Sequence, residues 1–226
     1  MTEEAIAPPT AEVQNAWPLL LEALARAGYT VDELLRPGAA PTDIAAVQQA
    51  IGRALPTDLA GLYQLSDGQT DWYQLSHGAH AQTVRQQGRW VCAVFGDGWS
   101  FDPVGKVADG WRNWDEVRAG YTPEQLAEDF DSAVEVRDGD PVQGLYTSPD
   151  WIGFATDGGG NQLAVDLVPQ PGGTVGQVIV IGSDEDLRRV VAPGIVQLLE
   201  LCARRVSEVD AAQVSEDGVL LYDLEG

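Results

Sequence analysis

The chain predicts an α+β fold, on three observations. Apolar residues recur at helical spacing between Trp17 and Tyr63, the period turns strand-like from Trp72, and a glycine-turned meander occupies Trp151 to Ile181. The meander is the anchor of the chain. Its apolar runs, Trp151 to Ala155, Leu163 to Val168 and Val178 to Ile181, are separated by Thr156 to Asn161 and by Pro169 to Gly173. Both linkers are turn chemistry, because glycine takes positive φ without strain and Asp or Asn can bond its own backbone. Gly158, Gly159 and Gly160 therefore have a mechanical role, and they lack the lysine and helix start of a phosphate loop.

The elements follow in order. Residues 1 to 15, with Pro8-Pro9 among small and acidic side chains, are expected to form a mobile lead-in. A helix is expected from about Pro18, with Trp17, Leu20, Leu21 and Leu24 on one face and Gly28 as its stop. Thr30-x-x-Glu33 fits a capping box for a short helix that ends before Pro37. Thr42, and then Thr57 or Asp58, are the expected caps of helices carrying Ile44, Val47 and Ile51, and Leu59, Leu62 and Tyr63. Ser66-Asp67-Gly68 ends the second of these.

Beyond Trp72, the runs Trp90 to Phe95 and Trp99 to Val104 flank Gly96-Asp97-Gly98 and predict a β-hairpin. Val107, Trp111, Trp114 and Val117 mark an amphipathic helix with both tryptophans on a core-facing side, closed by Gly120. Thr122-Pro123-Glu124-Gln125 is a capping-box start whose helix carries Leu126 and Phe130. A further hairpin is expected from Ala133 to Arg137 and Val142 to Tyr146. After the meander, Asp184-Glu185-Asp186 predicts a polar turn, and Ile195, Leu198, Leu199, Cys202 and Val206 line a last helix beginning near Pro193. The tail from Ser207 has six acids and no basic residue, with Val219 to Tyr222 as its strand-like run.

At 226 residues and 44% apolar content the chain can bury a core without disulfides or metals, and one domain is the expectation. Thirteen basic residues stand against 35 acidic ones, a formal charge of −22. That balance argues against direct nucleic-acid binding and against anionic membrane surfaces, since both recruit Lys and Arg. It favours a basic protein partner, with solubility as the plainer explanation of the same charge. No apolar run approaches the ~18 residues of a membrane helix, and no Lys or Arg precedes Arg26, so a cytoplasmic location is expected. Cys92 and Cys202 lie in apolar surroundings as expected buried thiols, a single long-range disulfide being the alternative.

The residue types of chemistry are present without its patterns. His77 and His80 share one polar loop with no acidic or cysteine ligand beside them, which is short of a zinc set. Asp157, Asn161 and Asp166 suggest oxygen ligands but do not follow a calcium-loop spacing. Asp166 interrupts an apolar strand, which points to a buried or edge hydrogen bond to the hairpin. Neither cysteine has a nucleophile's context and the two histidines share one loop, so no catalytic residue, cofactor or metal is expected. Two stretches qualify as partner-binding. Trp72 and Tyr73, adjacent on a strand-like run, must leave one ring less buried. Glu124 to Asp140 holds seven acids and one arginine, with Glu124, Glu128, Asp129 and Asp131 as the candidate contacts; a solvated face is the alternative.

Taken together, four stretches of the chain resemble the SUKH superfamily. The carrying residues are Ile51-Gly52-x-x-Leu55-Pro56-x-Asp58-Leu59 with Leu62-Tyr63 and Asp67-Gly68, then Trp111 and Trp114. They continue through Trp151-x-x-Phe154-Ala155-x-Asp157-Gly158-Gly159-Gly160-Asn161, Val165-Asp166-Leu167-x-Pro169 and Gly173-x-x-Gly176-Gln177-Val178-Ile179, ending at Val190 to Pro193. Gln48 and Gln49 stand where that family usually has a glutamate. The likeness covers about Thr42 to Val209, leaving residues 1–41 as an N-terminal helical extension and 207–226 as an acidic tail of a single domain. It implies an antiparallel or mixed sheet of about six strands, with helices packed on one side and at the ends. It implies action through protein contacts: most simply an immunity protein neutralising a cognate toxin, such as a nuclease, in the cytoplasm. The alternative is a regulatory scaffold of the cell-wall-assembly regulator type that contacts several proteins.

Overall fold

A computed structural model describes residues 6–70, 82–83, 86–88, 93–96, 98–208 and 224. Trp72 and Tyr73, His77 and His80, Trp90 to Cys92 and the run Val219 to Tyr222 lie outside the described residues. Helix α1 spans Ala11–Arg26, and the Thr10 hydroxyl caps it by accepting from the Val13 amide. It starts well before the expected Pro18, which sits inside it on the exposed side. The buried stripe Val13, Ala16, Trp17, Leu20, Ala23 and Leu24 runs straight past the proline, and its burial outweighs the backbone hydrogen bond that proline removes. What looked like a lead-in is therefore partly core.

Helices α2 (Val31–Leu34), α3 (Pro41–Ile51) and α4 (Thr57–Leu65) follow. Their caps differ from expectation: Thr30 makes no capping bond through its side chain, and Ala40 and Pro56 hold the next two cap positions. Pro41 explains the shift at α3, because its fixed φ suits the first helical turn and moves the start ahead of Thr42. In the second arm of the expected hairpin stand strand β1 (Ser100–Phe101) and the start of helix α5 (Val104–Ala119), and the first arm is described only from Ala93 on. Ala93 to Phe95 is not a strand; the buried Gln69 side chain instead accepts from the Val94 and Phe101 amides at 2.9 and 3.0 Å. Two of a ladder's donors are thus taken by one amide oxygen, while the Phe95 amide still donates to the Trp99 carbonyl across the glycine turn and Phe101 pairs with Ala155.

The sheet has six strands in the order β1-β3-β4-β5-β6-β2, with β2 Glu135–Val136, β3 Trp151–Thr156, β4 Gln162–Asp166, β5 Gln177–Ile181 and β6 Leu187–Ala192. The meander β3–β4–β5 is antiparallel throughout, as its glycine turns imply. β6 extends it antiparallel to β5 and has no counterpart in the sequence reading, because Arg188 and Arg189 interrupt its apolar character. β2 pairs with β6 in parallel, so the expected second hairpin does not form. Asp140 and Arg188 account for this: the Val190 amide donates to Asp140 Oδ2 at 2.6 Å, and Arg188 donates to the Leu145 and Tyr146 carbonyls at 3.0 Å each. The segment around Leu145 is held by side chains instead of by a ladder.

The pleat separates two cores. Ile152, Phe154, Leu163, Val165, Val178 and Val180 face the larger one, shared with α1, α3, α4, α5 and the last helix, α6 (Ile195–Glu208). The N-terminal helix lies against α6 within that same core. Trp151, Ala164, Ile179 and Ile181 face a smaller core closed by Val142, Leu145 and Val136. Helices therefore cover one side of a mixed sheet, and an irregular segment covers the other.

Candidate interaction face

The polar side chains of the meander are spent on its turns and on the segments packed against it. Asp157 Oδ1 accepts from the Gly159 and Asn161 amides at 2.7 and 3.1 Å, and its Oδ2 from Asn161 Nδ2 at 2.8 Å. Gly158 and Gly160 adopt φ of 80° and 109°, which the turn requires. Asn161 Oδ1 in turn receives the Asp184 amide at 3.3 Å. Among the described residues no group of three or more His, Cys, Asp or Glu side chains could hold a metal ion.

Asp166 is buried at 0% exposure and accepts from the Val168 amide at 3.0 Å and Gln177 Nε2 at 3.1 Å. Gln177 also donates to the Pro141 carbonyl at 3.0 Å and accepts from the Thr174 amide at 3.3 Å, so its orientation is fixed. Burial pushes the Asp166 carboxyl above its ordinary value, and the Val168 and Gln177 donors pull the other way. Trp151 packs in the smaller core beside this pair. Replacing Gln177 by leucine strands a buried carboxylate and a carbonyl, at a cost of roughly 2–3 kcal/mol. A raised folded-state pKa means that the neutral carboxyl favours folding: that contribution is whole below the unfolded value of 3.8 and is lost as pH rises through the folded pKa. The Gln177→Leu deficit is accordingly expected to be full at pH 7 and to shrink in acid, as measured by urea unfolding at both pH values.

The remaining family-motif positions join helices to the sheet. The Leu55 amide donates to Gln48 Oε1 at 2.8 Å, a contact that a glutamate could equally supply. Gly176, at φ 87°, sits where a Cβ would meet Pro56. The Val104 amide at the start of α5 donates to Asp67 Oδ1 at 2.8 Å, and Gly68 packs on the Asp102–Pro103 backbone. Tyr63 stacks on Phe101 with ring centroids 5.0 Å apart, and burial, then Asp102 and Asp67, push its hydroxyl well above the ordinary value.

The acidic stretch is different, because it faces outward. Thr122 and Gln125 close the expected capping box, with bonds of 2.9 and 3.2 Å. A wide helical turn, Leu126–Phe130, and a tight one, Asp131–Ala133, follow. Glu124, Glu128 and Asp129 are exposed. Asp131 is half-buried and accepts from the Tyr146 amide at 2.6 Å, so it positions the neighbouring chain. Trp111 and Trp114, expected in the core, are only half-buried; their indole N–H groups donate to the Pro149 carbonyl and to Gln162 Oε1, both at 3.0 Å.

These side chains assemble a feature that sequence reasoning missed. Trp114 meets Tyr146 edge-on at 5.5 Å, Tyr146 lies 5.0 Å from Phe130, and Phe130 meets Tyr121 at 4.8 Å. Tyr121 is 42% exposed. Arg118 lies over the Trp111 ring at 5.4 Å and pairs with Asp115 at 3.3 Å. The aromatic excess of the 111–146 stretch was the one available signal, and it does not reveal that the rings converge.

A mixed sheet with helices on one face, knit by turn glycines and carrying a ring-and-carboxylate surface, defines an α+β domain without an evident reaction centre among its described residues. The chain belongs to the SMI1 / KNR4 family (SUKH-1), whose family model matches residues 38–201. It is 39% identical over 94 residues to the cell wall biosynthesis/cell cycle regulator smi1 of Schizosaccharomyces pombe, covering 40% of this chain and 19% of that protein. It is 44% identical over 66 residues to a glucan synthesis regulatory protein of Neurospora crassa, covering 29% and 12% of the two chains. The cell wall assembly regulator SMI1 of Saccharomyces cerevisiae is 45% identical over 51 residues, covering 23% and 10%. The similarity thus spans a fifth or less of each of these relatives. No helix among the described residues is long and apolar enough to cross a membrane.

Proposed function

We propose that the chain is a non-catalytic protein-binding module, acting as a regulatory scaffold of the cell-wall-assembly regulator type in the cytoplasm. Its membership of a family whose fungal members bear regulator names carries this reading. Its polar motif residues support it, since they are consumed by turns and buried contacts and leave carboxylates and rings for a partner.

The charge of −22 favours a second reading, an immunity protein that neutralises a basic toxin. Capture on the immobilised chain at low salt, with quantitation of what is retained, separates the two. Several unrelated proteins indicate a scaffold; one basic toxin at equimolar amount indicates immunity; an empty column refutes both. Either partner class is expected to associate more slowly as salt rises, by about tenfold between 20 and 200 mM, in stopped-flow mixing. A salt-independent rate constant removes the electrostatic part of the proposal.

A further inference from the structure

We propose that the strip Trp114, Tyr146, Phe130 and Tyr121, with its acidic rim, is the docking face for an extended, arginine-bearing segment of a protein partner. This rests on the protein-binding reading above and names the place and chemistry of contact. The rings form three successive steps of 5.5, 5.0 and 4.8 Å, a run matching a few residues of extended chain. Tyr121, at one end, is exposed, and Trp114, Tyr146 and Phe130 are half-buried, so the strip reaches solvent chiefly at the Tyr121 end. Glu124, Glu128 and Asp129 are exposed on the helical turns that join Tyr121 to Phe130, so the acids and the strip belong to one segment, and among the described residues none of the three is held in an ion pair.

The molecule itself shows how a guanidinium fits such a surface. Arg118 lies over Trp111 while bonding Asp115 and the Thr147 hydroxyl, so ring face, carboxylate and hydroxyl are satisfied together. A visiting arginine would find the same elements along the strip: aromatic faces from the rings and carboxylates from the rim. Arginine suits this better than lysine, because its planar, weakly hydrated head stacks and forks at once. Phosphate-bearing partners are repelled by the rim, and a second copy of a chain at −22 is repelled as a whole. The face is also pre-set: Asp131 accepts the Tyr146 amide and Arg188 donates to the Tyr146 carbonyl, which fixes the central ring's backbone.

The test uses the full chain and a short fluorescent peptide of alternating arginine and glycine, with its lysine twin, followed by anisotropy at low salt. The arginine peptide is expected to bind about two- to fivefold more tightly than the lysine one. Tyr121→Ala should erase that preference while lowering the melting temperature by only about 2–5 °C, the cost of its contact with Phe130. The rim variant Glu124→Gln/Glu128→Gln/Asp129→Asn should weaken binding about tenfold. A charge-matched control on exposed acids elsewhere, Asp184→Asn/Asp186→Asn/Glu200→Gln, should change it less than twofold. The proposal is overturned if the control weakens binding as much as the rim variant, if the two peptides bind alike, or if neither binds. A protein captured by the wild type and retained equally by both face variants also overturns it, yet leaves the protein-binding reading standing. Failure to capture any protein sinks that reading instead.

Discussion

Arg188→Met is expected to destabilise the fold by roughly 3–5 kcal/mol, seen as a fall in melting temperature on the order of 10 °C. Arg188 is 0% exposed, and its head donates to the Leu145, Glu185 and Tyr146 carbonyls while lying over the Trp151 ring. Methionine restores volume and none of the donors, so three half-buried carbonyls lose their partner at up to about 1–3 kcal/mol each, less what water and relaxation recover. A salt bridge replaced by apolar residues is often neutral, because both charges leave together. Here the acceptors are backbone and stay behind. The same change frees the Tyr146 backbone, so partner binding should fall even below the new melting point. A shift under about 2 °C in circular-dichroism melting would show that water or a local rearrangement serves those carbonyls.

The second large effect concerns Gly68. Its φ is 74°, and a Cβ there would lie 2.6 Å from the Asp102 carbonyl carbon and from the Pro103 nitrogen. Both are backbone atoms, and they lead into α5, whose first amide at Val104 is bound by Asp67. Gly68→Ala must therefore push the start of α5 off the sheet or distort the turn, at an expected ~3 kcal/mol or more. Gly52 is the control, with φ of 67° and nothing within 4 Å of the added carbon. Gly52→Ala should show the conformational term alone, about 1–2 kcal/mol. Equal losses for the two variants in denaturant unfolding would mean that the close approach to Pro103 does not matter.

What the sequence made legible is what local rules encode. The β3–β4–β5 meander follows from apolar runs and glycine turns, and the Thr122–Gln125 box follows from four adjacent residues. Strand β6 escaped because two arginines sit in it, one of them buried as a clamp whose carbonyl partners include Leu145 and Tyr146, far off along the chain. The expected hairpin of Ala133 to Arg137 with Val142 to Tyr146 did not form, and the one around Gly96 to Gly98 shows no ladder among its described residues, for a related reason. Side chains, Gln69 in one case and Asp140 with Arg188 in the other, take the backbone groups that a ladder would have used. Helix α1 was read short because proline is a poor guide when an apolar stripe runs through it. Of the candidate contacts, Glu124, Glu128 and Asp129 reach the surface, while Asp131 turns inward. The convergence of the aromatic strip could not be read, since Trp114, Tyr121, Phe130 and Tyr146 meet only after α5 and the helical turns fold back.

The most direct measurement is the amount of protein retained by the immobilised wild-type chain, set beside that retained by Glu124→Gln/Glu128→Gln/Asp129→Asn under the same low-salt conditions. The expected result is a protein partner held in near-equimolar amount by the wild type and depleted about tenfold on the variant. Equal retention by both, or turnover of a small molecule by a chain that retains no protein, contradicts the account.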